Sequence, residues 1–331
     1  MSDQLSGKAD KMAKPRVSII FRALNEEKWF GEALSACQRQ NFGDLDLELI
    51  LVDSGSTDKT VEIAESYGCR VLHIKKSEFT FGRSLNRGCE AATGDYLVFI
   101  SAHCIPDDEN WLSNLVAPLV DGSALYVYGK QIGHDVTRFS EHQLFSQYYP
   151  DHDRNTTSDF FVNNANAAIL KSTWAQYRFD EEVTGLEDML LGKEIKNDGG
   201  NISYVATAPV VHIHEESLSQ IKRRYYREAL TLREIMPEVH FNFGDFIRYF
   251  SAGIFHDFAE ALNQRVFVRE VIGILSFRFM QYWGSYRGHN ENRKLSRVQK
   301  ERYYYPKPAT SDVGEKAGEK NVYDRSATTA K

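Results

Sequence analysis

The chain has 331 residues, of which 42% are hydrophobic and 26% charged, so it can bury a sizeable core as one large domain or two small ones. Its formal net charge of −6 argues against nucleic acid as the main partner, because phosphate binding requires a basic surface. Four widely spaced cysteines without a CxxC pair favour a reduced, cytoplasmic protein. The polar stretch 1–14 lacks the apolar core of a signal peptide or membrane anchor, and we expect it to be disordered.

Strand and helix patterns alternate through the first 130 residues. A first strand is predicted over 16–21, and apolar residues recur at helical spacing from Trp29 to Cys37. The apolar run 49–53 then predicts a strand buried on both faces of a parallel sheet, which makes a βαβ crossover. The next predicted elements are, in order, strand 71–74, helix 84–92, strand 96–100, helix 110–120 and strand 124–128. This alternation indicates a doubly wound α/β arrangement up to about residue 130.

Asp53 ends the second predicted strand at the sheet edge where open α/β sheets bind their ligands. Gly55 permits a sharp turn after it, and the polar residues 56–58 can cap the following helix. We expect the Asp53 carboxylate to lie at the mouth of a pocket, with helix capping as the alternative.

The second half begins with a polar, irregular stretch over 129–159, which we interpret as a flap near the site. A strand is predicted at 160–162, a helix at 186–196 and a strand at 202–205, and helices dominate from 215 to 286. The tail beyond Lys307 is low in apolar residues and is expected to be disordered.

Five short motifs occur in an order that resembles family 2 inverting glycosyltransferases of the GT-A fold, closest to the rhamnosyltransferase-like members of bacterial polysaccharide assembly. The motifs are Arg22-Ala23-Leu24-Asn25-Glu26-Glu27, Val52-Asp53-Ser54-Gly55-Ser56-Thr57-Asp58, Phe81-Gly82-Arg83-Ser84-Leu85-Asn86-Arg87-Gly88, Gly185-Leu186-Glu187-Asp188 and His212-Ile213-His214. The stretch from Gln281 to Gly288 is also similar to these enzymes.

The resemblance implies an α/β protein whose Rossmann-like, mostly parallel sheet is flanked by helices, with a helical C-terminal extension. It implies a catalytic domain over 15–216, divided into a nucleotide-sugar-binding half at 15–130 and an acceptor-binding half at 131–216. A helical region would cover 217–306, between disordered ends at 1–14 and 307–331.

Transfer from a nucleotide sugar requires a reader of the base and a counter-charge for the diphosphate. The resemblance assigns Asp53 to the NH of a uracil or thymine ring. Asn25 and Glu27 meet the nucleoside or instead cap the next helix. Arg83 and Asn86 open a helix in a glycine-flanked turn, where a guanidinium and backbone N–H groups can meet phosphate or base oxygens. The full set of expected nucleotide-sugar contacts is Ala23, Asn25, Glu27, Asp53, Gly55, Ser56, Arg83, Asn86 and His103.

The family's Asp-x-Asp metal motif is replaced here by Ser101-Ala102-His103, which is a departure from the pattern. An imidazole can ligate manganese, although it holds magnesium less well than a carboxylate does. His212 and His214 alternate at a strand end and should point to opposite sides, with His212 the better fit to the family's histidine. We expect His103, His212 and His214 to bind a divalent metal, Mn²⁺ or Mg²⁺. A structural role for these histidines is the alternative.

Glu187 and Asp188 begin a predicted helix, which holds a carboxylate on a rigid support. The helix N-terminus lowers the pKa of Asp188 and the neighbouring carboxylate raises it. In the resemblance Asp188 deprotonates the acceptor hydroxyl and Glu187 helps hold the acceptor; two acids that favour a helix start are the alternative.

Three amides, Asn163, Asn164 and Asn166, follow the predicted strand at 160–162 and can donate to and accept from sugar hydroxyls. A turn-forming role is equally open for them. Trp174 is an expected acceptor contact through stacking on a sugar face, with packing in the core as the alternative.

The aromatic, arginine-containing segments 241–250 and 268–282 lack the ~20 consecutive apolar residues that cross a bilayer. They can lie on a membrane surface, at the inner membrane face, or they can pack on the catalytic domain or form a homodimer. We favour packing or dimerisation.

The sequence thus predicts inverting transfer of a sugar from a nucleoside-diphosphate sugar to a glycan or lipid-linked glycan. A catalytically weak sugar-nucleotide-binding protein is the alternative, because the acidic metal pair is missing. A dehydrogenase is disfavoured because no GxGxxG follows a predicted strand. A nucleotidyltransferase is disfavoured because the first strand lacks the glycine-rich phosphate loop and lysine.

Overall fold

In the computed structural model, which describes residues 16–291 apart from 42, 44 and 45, eight strands form one sheet. They are β1 (Arg16–Ala23), β2 (Asp46–Asp53), β3 (Arg70–His73), β4 (Tyr96–Ser101), β5 (Cys104–Pro106), β6 (Tyr126–Gly133), β7 (Asn166–Leu170) and β8 (Ile202–His212). Their order across the sheet is β3-β2-β1-β4-β7-β6-β8-β5.

The helices described in the same residues flank the sheet and continue beyond it. They are α1 (Phe30–Gln38), α2 (Thr60–Ser66), α3 (Phe81–Ala91), α4 (Trp111–Val120), α5 (Phe139–Tyr148), α6 (Lys171–Tyr177), α7 (Glu187–Asn197), α8 (Leu218–Ile235), α9 (Phe243–Asn263) and α10 (Phe267–His289).

The first four strands are parallel, as the alternation of strand and helix predicts. In register, Ala23 of β1 lies beside Asp53 of β2, and Arg22 lies beside Ser101 of β4. Both faces of these strands are buried because their apolar runs have helices on either side. The ends of β1, β2 and β4 therefore meet at one edge of the sheet.

The second half of the sheet differs from a simple doubly wound order. β7 runs antiparallel between β4 and β6, and β6 in turn pairs in parallel with β8. The predicted strand at 160–162 is wrong: those residues are irregular, and the Phe161 ring packs against Tyr128 and Tyr148 instead of pairing with a strand. The strand begins only at Asn166.

The predicted flap over 129–159 is also wrong in part. β6 extends to Gly133, and α5 occupies the middle of the stretch because Leu144 and Phe145 give it a buried apolar side. An irregular segment follows α5, in which Arg154 makes an isolated bridge with Tyr204.

Helices α8, α9 and α10 form the C-terminal region. The backbone of α10 approaches α8 closely, since a Cβ on Gly284 would lie 2.5 Å from the carbonyl oxygen of Lys222. A buried ion pair joins α9 to α10, with Arg278 Nη2 2.6 Å from Asp257 Oδ1. Within the described part of the chain, no helix is both long and apolar enough to cross a bilayer.

The predicted domain boundaries are not tested by these elements and stay a prediction. The expected disordered ends at 1–14 and 307–331 lie outside the described residues, as do positions 292–306 of the predicted helical region.

Candidate active site

A pocket of about 670 Å³ opens at the sheet edge where β1 and β4 end. The end of β1 and the turn after it contribute residues 22–26, and the end of β4 contributes Ile100, Ser101 and His103. Residues 213–216, one side of α8, the start of α3 and Asn164 also line the pocket. The pocket therefore lies where parallel α/β sheets bind ligands.

The turns after β1 and β2 are bonded to each other beside this pocket. Asn25, at a φ of 57°, accepts a hydrogen bond from the Thr57 N–H through its side-chain oxygen at 2.8 Å. Ser56 Oγ accepts from the Asn25 N–H at 3.0 Å, and Glu27 accepts from the Lys59 N–H at 3.0 Å. These predicted nucleotide contacts hold the two turns in one conformation, and Ala23 lines the pocket directly below them.

Asp53 is 2% exposed and does not line the pocket. Its carboxylate accepts hydrogen bonds from the N–H groups of Gly55 and Ser56, both at 3.0 Å, and lies 3.2 Å from His73 Nδ1. Gly55 adopts a φ of 97°, which folds the turn back over the carboxylate. In this structure Asp53 organises its own turn, and base reading stays a prediction.

Arg83, Asn86 and Trp174 are bonded within the fold. Arg83 Nε donates to Glu181 at 2.7 Å, and the Asn86 amide donates to Phe179 and Glu181 while accepting from Trp174 Nε1 at 3.0 Å. Asn86 and Trp174 are buried, and none of the three predicted contacts lines the pocket. Their polar atoms tie α3 to the segment that follows α6.

Glu187 and Asp188 begin α7 in different surroundings. Glu187 is buried and accepts from Arg22 at 3.0 Å. Asp188 is half-buried and accepts from the N–H groups of Asn164 at 2.9 Å and Met189 at 2.8 Å. Burial and then the Glu187 charge raise the pKa of Asp188 to about 7, against the opposing effect of these hydrogen bonds and Arg22.

The turn before α7 has an unusual backbone. Gly185 has a φ of 154° and Leu186 a φ of 56°, which is the left-handed region. A non-glycine residue there is uncommon, so the turn has a restricted conformation that fixes where the two acids begin the helix.

The three predicted amides have separate roles in the structure. Asn163 accepts from the Ala165 N–H, and Asn166 bonds Trp111, Lys130 and Ala208 in the interior. Asn164 lines the pocket, accepts from Tyr126 and has a buried side-chain nitrogen without a hydrogen-bond partner. Asn164 is thus the amide with an unused donor at the pocket.

His103, His212 and His214 lie together beside the pocket. The ring centroids of His212 and His214 are 4.0 Å apart, and that of His103 is 5.2 Å from His212. The prediction that His212 and His214 point to opposite sides is wrong, because β8 ends at His212 and strand alternation does not extend to His214.

Each of the three imidazoles has an oxygen partner at Nδ1. The partners are Glu26 for His103, Gln131 for His212 and Glu141 for His214, at 3.1, 2.7 and 2.6 Å. Burial lowers the pKa of His103, but the hydrogen bond and charge of Glu26 outweigh it and raise the pKa. Burial, together with the charges of the other two histidines, lowers the pKa of His212.

Sequence reasoning missed Glu141 and Arg224. Arg224 Nη2 lies 2.6 Å from both Glu141 and Glu216. Burial raises the pKa of Glu141, but Arg224 and His214 outweigh it and lower the pKa to about 2. Glu141 lies in the stretch interpreted as a flap, and nothing local in the sequence links it to α8.

The histidine cluster fits a divalent ion. One ligand atom from each of His103, His212 and His214 lies within 4.8 Å of the others, and Glu141, His214 and Glu216 form a second such group. Metal-binding histidines usually bond an oxygen through the other ring nitrogen, as each of these does through Nδ1. Imidazole nitrogens suit manganese and later transition metals better than magnesium.

Comparisons of the sequence with known proteins find related glycosyltransferases. Residues 18–179 match the family model described as Glycosyl transferase family 2. The chain is 27% identical over 190 residues to the O-antigen chain rhamnosyltransferase WbaN of Salmonella anatum, covering 54% of this chain and 60% of that protein. It is 25% identical over 254 residues to RfbN of Salmonella typhimurium, another O-antigen chain rhamnosyltransferase, covering 73% and 72%.

Solved structures give the fold independently. Glucosyl-3-phosphoglycerate synthase from Mycobacterium tuberculosis aligns with a TM-score of 0.51 at 23% identity, covering 67% of this chain and 80% of that one. The mannosyltransferase PcManGT from Pyrobaculum calidifontis, in complex with GDP-Man and Mn²⁺, aligns with a TM-score of 0.52 at 18% identity, covering 80% and 73%. The predicted GT-A fold is confirmed.

Proposed function

Because residues 18–179 match the family model described as Glycosyl transferase family 2, we propose that the chain moves a sugar from a nucleoside-diphosphate sugar to a hydroxyl of a glycan or glycolipid, with inversion at the anomeric carbon. Asp188 is the general base of this proposal, and Glu187 helps to hold the acceptor. The two Salmonella relatives are named O-antigen chain rhamnosyltransferases, which favours polysaccharide assembly as the setting.

The observation that carries the proposal is the state of Asp188 near the pocket. Its pKa of about 7 suits a group that must take a proton at neutral pH and release it afterwards. The backbone N–H groups of Asn164 and Met189 donate hydrogen bonds to the Asp188 carboxylate. Asn164 also lines the pocket. A rigid base next to a ligand pocket is what deprotonation of an acceptor requires.

In the proposed step, Asp188 accepts the proton of the acceptor hydroxyl while that oxygen bonds to the anomeric carbon. The bond from the anomeric carbon to the diphosphate oxygen breaks on the opposite face, and the diphosphate leaves with the electron pair. The histidine cluster lies beside the pocket, and a divalent ion bound there would offset the charge of the leaving group.

A divalent metal, Mn²⁺ in preference to Mg²⁺, is part of the proposal. His103, His212 and His214 would hold it, since their donor atoms converge and their Nδ1 atoms are oriented by oxygen partners. A bound ion would supply positive charge for the diphosphate. Arg224 and Glu216 form an ion pair on this side of the pocket.

For donor binding we propose the turns after β1 and β2. Asp53 reads the base, and Asn25, Glu27, Gly55 and Ser56 surround the nucleoside. The bonds between these turns support the proposal, because they keep the turns in fixed relation. Arg83 and Asn86 would not contact the nucleotide directly. They would support its binding through the hydrogen bonds that position α3.

For acceptor binding we propose Asn164, whose unused side-chain nitrogen can donate to a sugar hydroxyl. Asn163 stays a candidate beside it. Asn166 and Trp174 are bonded in the interior, so we propose that they support the acceptor site without touching the sugar.

A second candidate is a catalytically weak sugar-nucleotide-binding protein. It is favoured by the sequence Ser101-Ala102-His103 at the position of the acidic metal motif. Such a protein would bind a nucleotide with the same turns but would not transfer the sugar.

We also propose that a second copy of the chain covers an apolar stripe on α9 and α10. The stripe consists of Phe243, Ile247, Leu262, Val268, Ile272, Leu275 and Phe279, which are all exposed and recur at helical spacing. Their exposed area is on the order of 700 Å², close to the about 800 Å² that each partner buries in a standard interface.

Charge favours a protein partner over a bilayer for this stripe. Residues 243–289 contain five arginines and four acids, so the hairpin has little net positive charge to attract anionic lipids. Ile272→Glu should convert a dimer to a monomer in light scattering after gel filtration. A monomeric wild type that sediments with anionic vesicles would instead favour peripheral membrane contact.

Activity of the wild type and Asp188→Asn tests the function. UDP-, dTDP- and GDP-sugars with Mn²⁺ form the donor panel, and either transfer or slow donor hydrolysis is measured. Asp198→Asn, on the exposed end of α7, is the matched control. A wild type that transfers and hydrolyses nothing across the panel would overturn the enzyme proposal and favour the binding protein.

Thermal unfolding with UDP, dTDP or GDP, with and without Mn²⁺, tests donor binding separately. A nucleotide that binds the native state raises its melting temperature. A shift with dTDP alone would favour a rhamnosyl donor, and no shift with any nucleotide would contradict the role of Asp53.

A further inference from the structure

Arg227, on α8, lines the pocket without an ion-pair partner among the described residues. The other lysine and arginine side chains of the pocket lining are all paired: Arg22 with Glu187 at 3.0 Å, Lys28 with Glu215 at 2.6 Å, and Arg224 with Glu141 and Glu216 at 2.6 Å. The Nε of Arg227 is buried and has no hydrogen-bond partner. One pocket cation is therefore left without a counter-ion.

The Arg227 guanidinium is held in place although it forms no ion pair with the described residues. The carboxylates of Glu228, Glu187 and Glu216 act on it only through longer-range charge. Its central carbon lies 4.7 Å from the centre of the Phe81 ring, which Arg22 also approaches at 4.9 Å. Burial lowers the pKa of Arg227, opposed by the nearby charge of Glu228, but an arginine remains protonated in proteins. A fixed, partly desolvated cation with an unused donor is costly unless a ligand supplies an anion.

Contacts of Arg227 indicate which end of the pocket the anion would occupy. A Cβ added to Gly185 would lie 3.4 Å from Arg227 Nε. Gly185 opens the turn into Glu187 and Asp188, and Phe81 bonds Arg22, the partner of Glu187, through its carbonyl oxygen at 3.1 Å. Arg227 thus lies beside the turn that leads into the proposed base, whereas the proposed nucleoside contacts lie in the turns after β1 and β2.

We propose that Arg227 binds an anionic group of the acceptor, a phosphoryl or a carboxylate, close to the hydroxyl that is glycosylated. The inference rests on the proposed function and adds that the acceptor carries a negative charge. A guanidinium presents parallel N–H donors that match the two oxygens of either group. The charges of Arg22 and Arg224 are already balanced by carboxylates, so a second anion is attracted to them less strongly than to Arg227.

Binding of small anions tests the site without turnover. Inorganic phosphate and acetate are titrated into the full chain saturated with UDP or dTDP. We expect phosphate or acetate to bind the wild type. The affinity of Arg227→Gln for the same anion should be lower by about tenfold or more, and the affinity of Arg227→Lys should be intermediate. Arg223→Gln, the same change on the same helix but outside the pocket lining, should bind like the wild type.

Two results of this titration would overturn the inference. One is equal anion affinity in the wild type and Arg227→Gln. The other is a loss of UDP and dTDP affinity in Arg227→Gln as large as the loss of anion affinity, which would assign Arg227 to the donor diphosphate. Failure of the wild type to bind any nucleotide would instead count against the proposed function.

Transfer assays distinguish a phosphoryl group from a carboxylate as the anionic group of the acceptor. Hexose 1-phosphates, uronic acids and neutral methyl glycosides serve as acceptors, and KM is measured for acceptor and donor. In Arg227→Gln the KM of the preferred anionic acceptor should rise about tenfold or more, with the donor KM unchanged. Preference for the phosphates indicates a phosphoryl group and preference for the uronic acids a carboxylate; equal use of the neutral glycosides by the wild type would contradict the inference.

Discussion

Arg22 and Glu187 are 165 positions apart in the chain and form an ion pair with a 3.0 Å contact. The pair joins the end of β1, at the pocket, to the first residue of α7. The donor side of the proposed site is thereby connected to the helix that carries the proposed base.

Removal of one partner should destabilise the protein, because Glu187 is buried. We expect Arg22→Gln to lower the free energy of unfolding by about 2 kcal/mol, less than for a fully buried pair because Arg22 is partly exposed. Arg16→Gln on the same strand breaks the exposed pair with Asp46 and should cost about 0.5 kcal/mol or less. Urea unfolding measures both, and equal midpoints would contradict the expectation.

The raised pKa of Asp188 predicts an acid limb in the activity profile. Below a pH of about 7 the carboxylate is protonated and cannot accept a proton, so kcat/KM should fall as pH decreases and level off above about 8. Asp188→Asn should reduce activity by about 10²–10⁴ at pH 8 and remove the limb. The thermal shifts that nucleotides induce should be the same in Asp188→Asn as in the wild type. If the residual activity of Asp188→Asn still falls at acid pH, the acid limb belongs to another group.

Metal removal should abolish activity if the histidine cluster holds an ion. We expect a chelator to inactivate the enzyme and Mn²⁺ to restore it more effectively than Mg²⁺. His212→Gln should weaken Mn²⁺ affinity in calorimetry about tenfold or more. His152→Gln, an exposed histidine outside the cluster, is the control, and equal Mn²⁺ affinity in both variants would exclude this site.

Helical glycines offer a matched test of packing. A Cβ on Gly88 of α3 would lie 2.5 Å from Ile20 Cγ2, whereas on Gly31 of α1 it would lie 3.7 Å from Ile63 Cγ2. Gly88→Ala should therefore destabilise by about 1–3 kcal/mol. Gly31→Ala should be neutral or stabilise by up to about 1 kcal/mol, because alanine favours the helix. Chemical denaturation checks both, and the reverse order would contradict the packing of α3 on β1.

The ion pair between Asp257 and Arg278 is almost fully buried. Asp257→Asn leaves the arginine without its counter-ion and should cost about 3–5 kcal/mol. The doubly substituted Asp257→Leu, Arg278→Met variant should recover much of that loss, because an apolar pair avoids the desolvation of two charges. Thermal unfolding of the three proteins tests this, and a double variant no more stable than Asp257→Asn would contradict it.

The four parallel strands of the first half could be predicted because each is an apolar run followed by a helical pattern. The antiparallel β7 could not, since its place between β4 and β6 depends on pairing across the whole chain. Helix α5 could not be predicted from its polar sequence, because few apolar residues, Leu144 and Phe145 among them, form its buried side.

Part of the pocket lining could be predicted from the sequence. Asn25, His103, Asn164 and His214 line the pocket, and the histidines lie together. Asp53 and Asn86 are residues of motifs and Trp174 is a predicted stacking residue, but their side chains are bonded inside the fold, which the sequence does not reveal. Partners such as Glu141 and Arg224, 83 positions apart, have no local signal.

The turn at Gly185 and Leu186 restricts how the acceptor site can be re-engineered. A side chain at Gly185 would need a backbone conformation that only glycine adopts readily, and its Cβ would lie 3.4 Å from Arg227 Nε. Libraries that aim at new acceptors should therefore keep this turn invariant and vary the face of α8 instead, where substitutions leave the backbone of the turn unchanged.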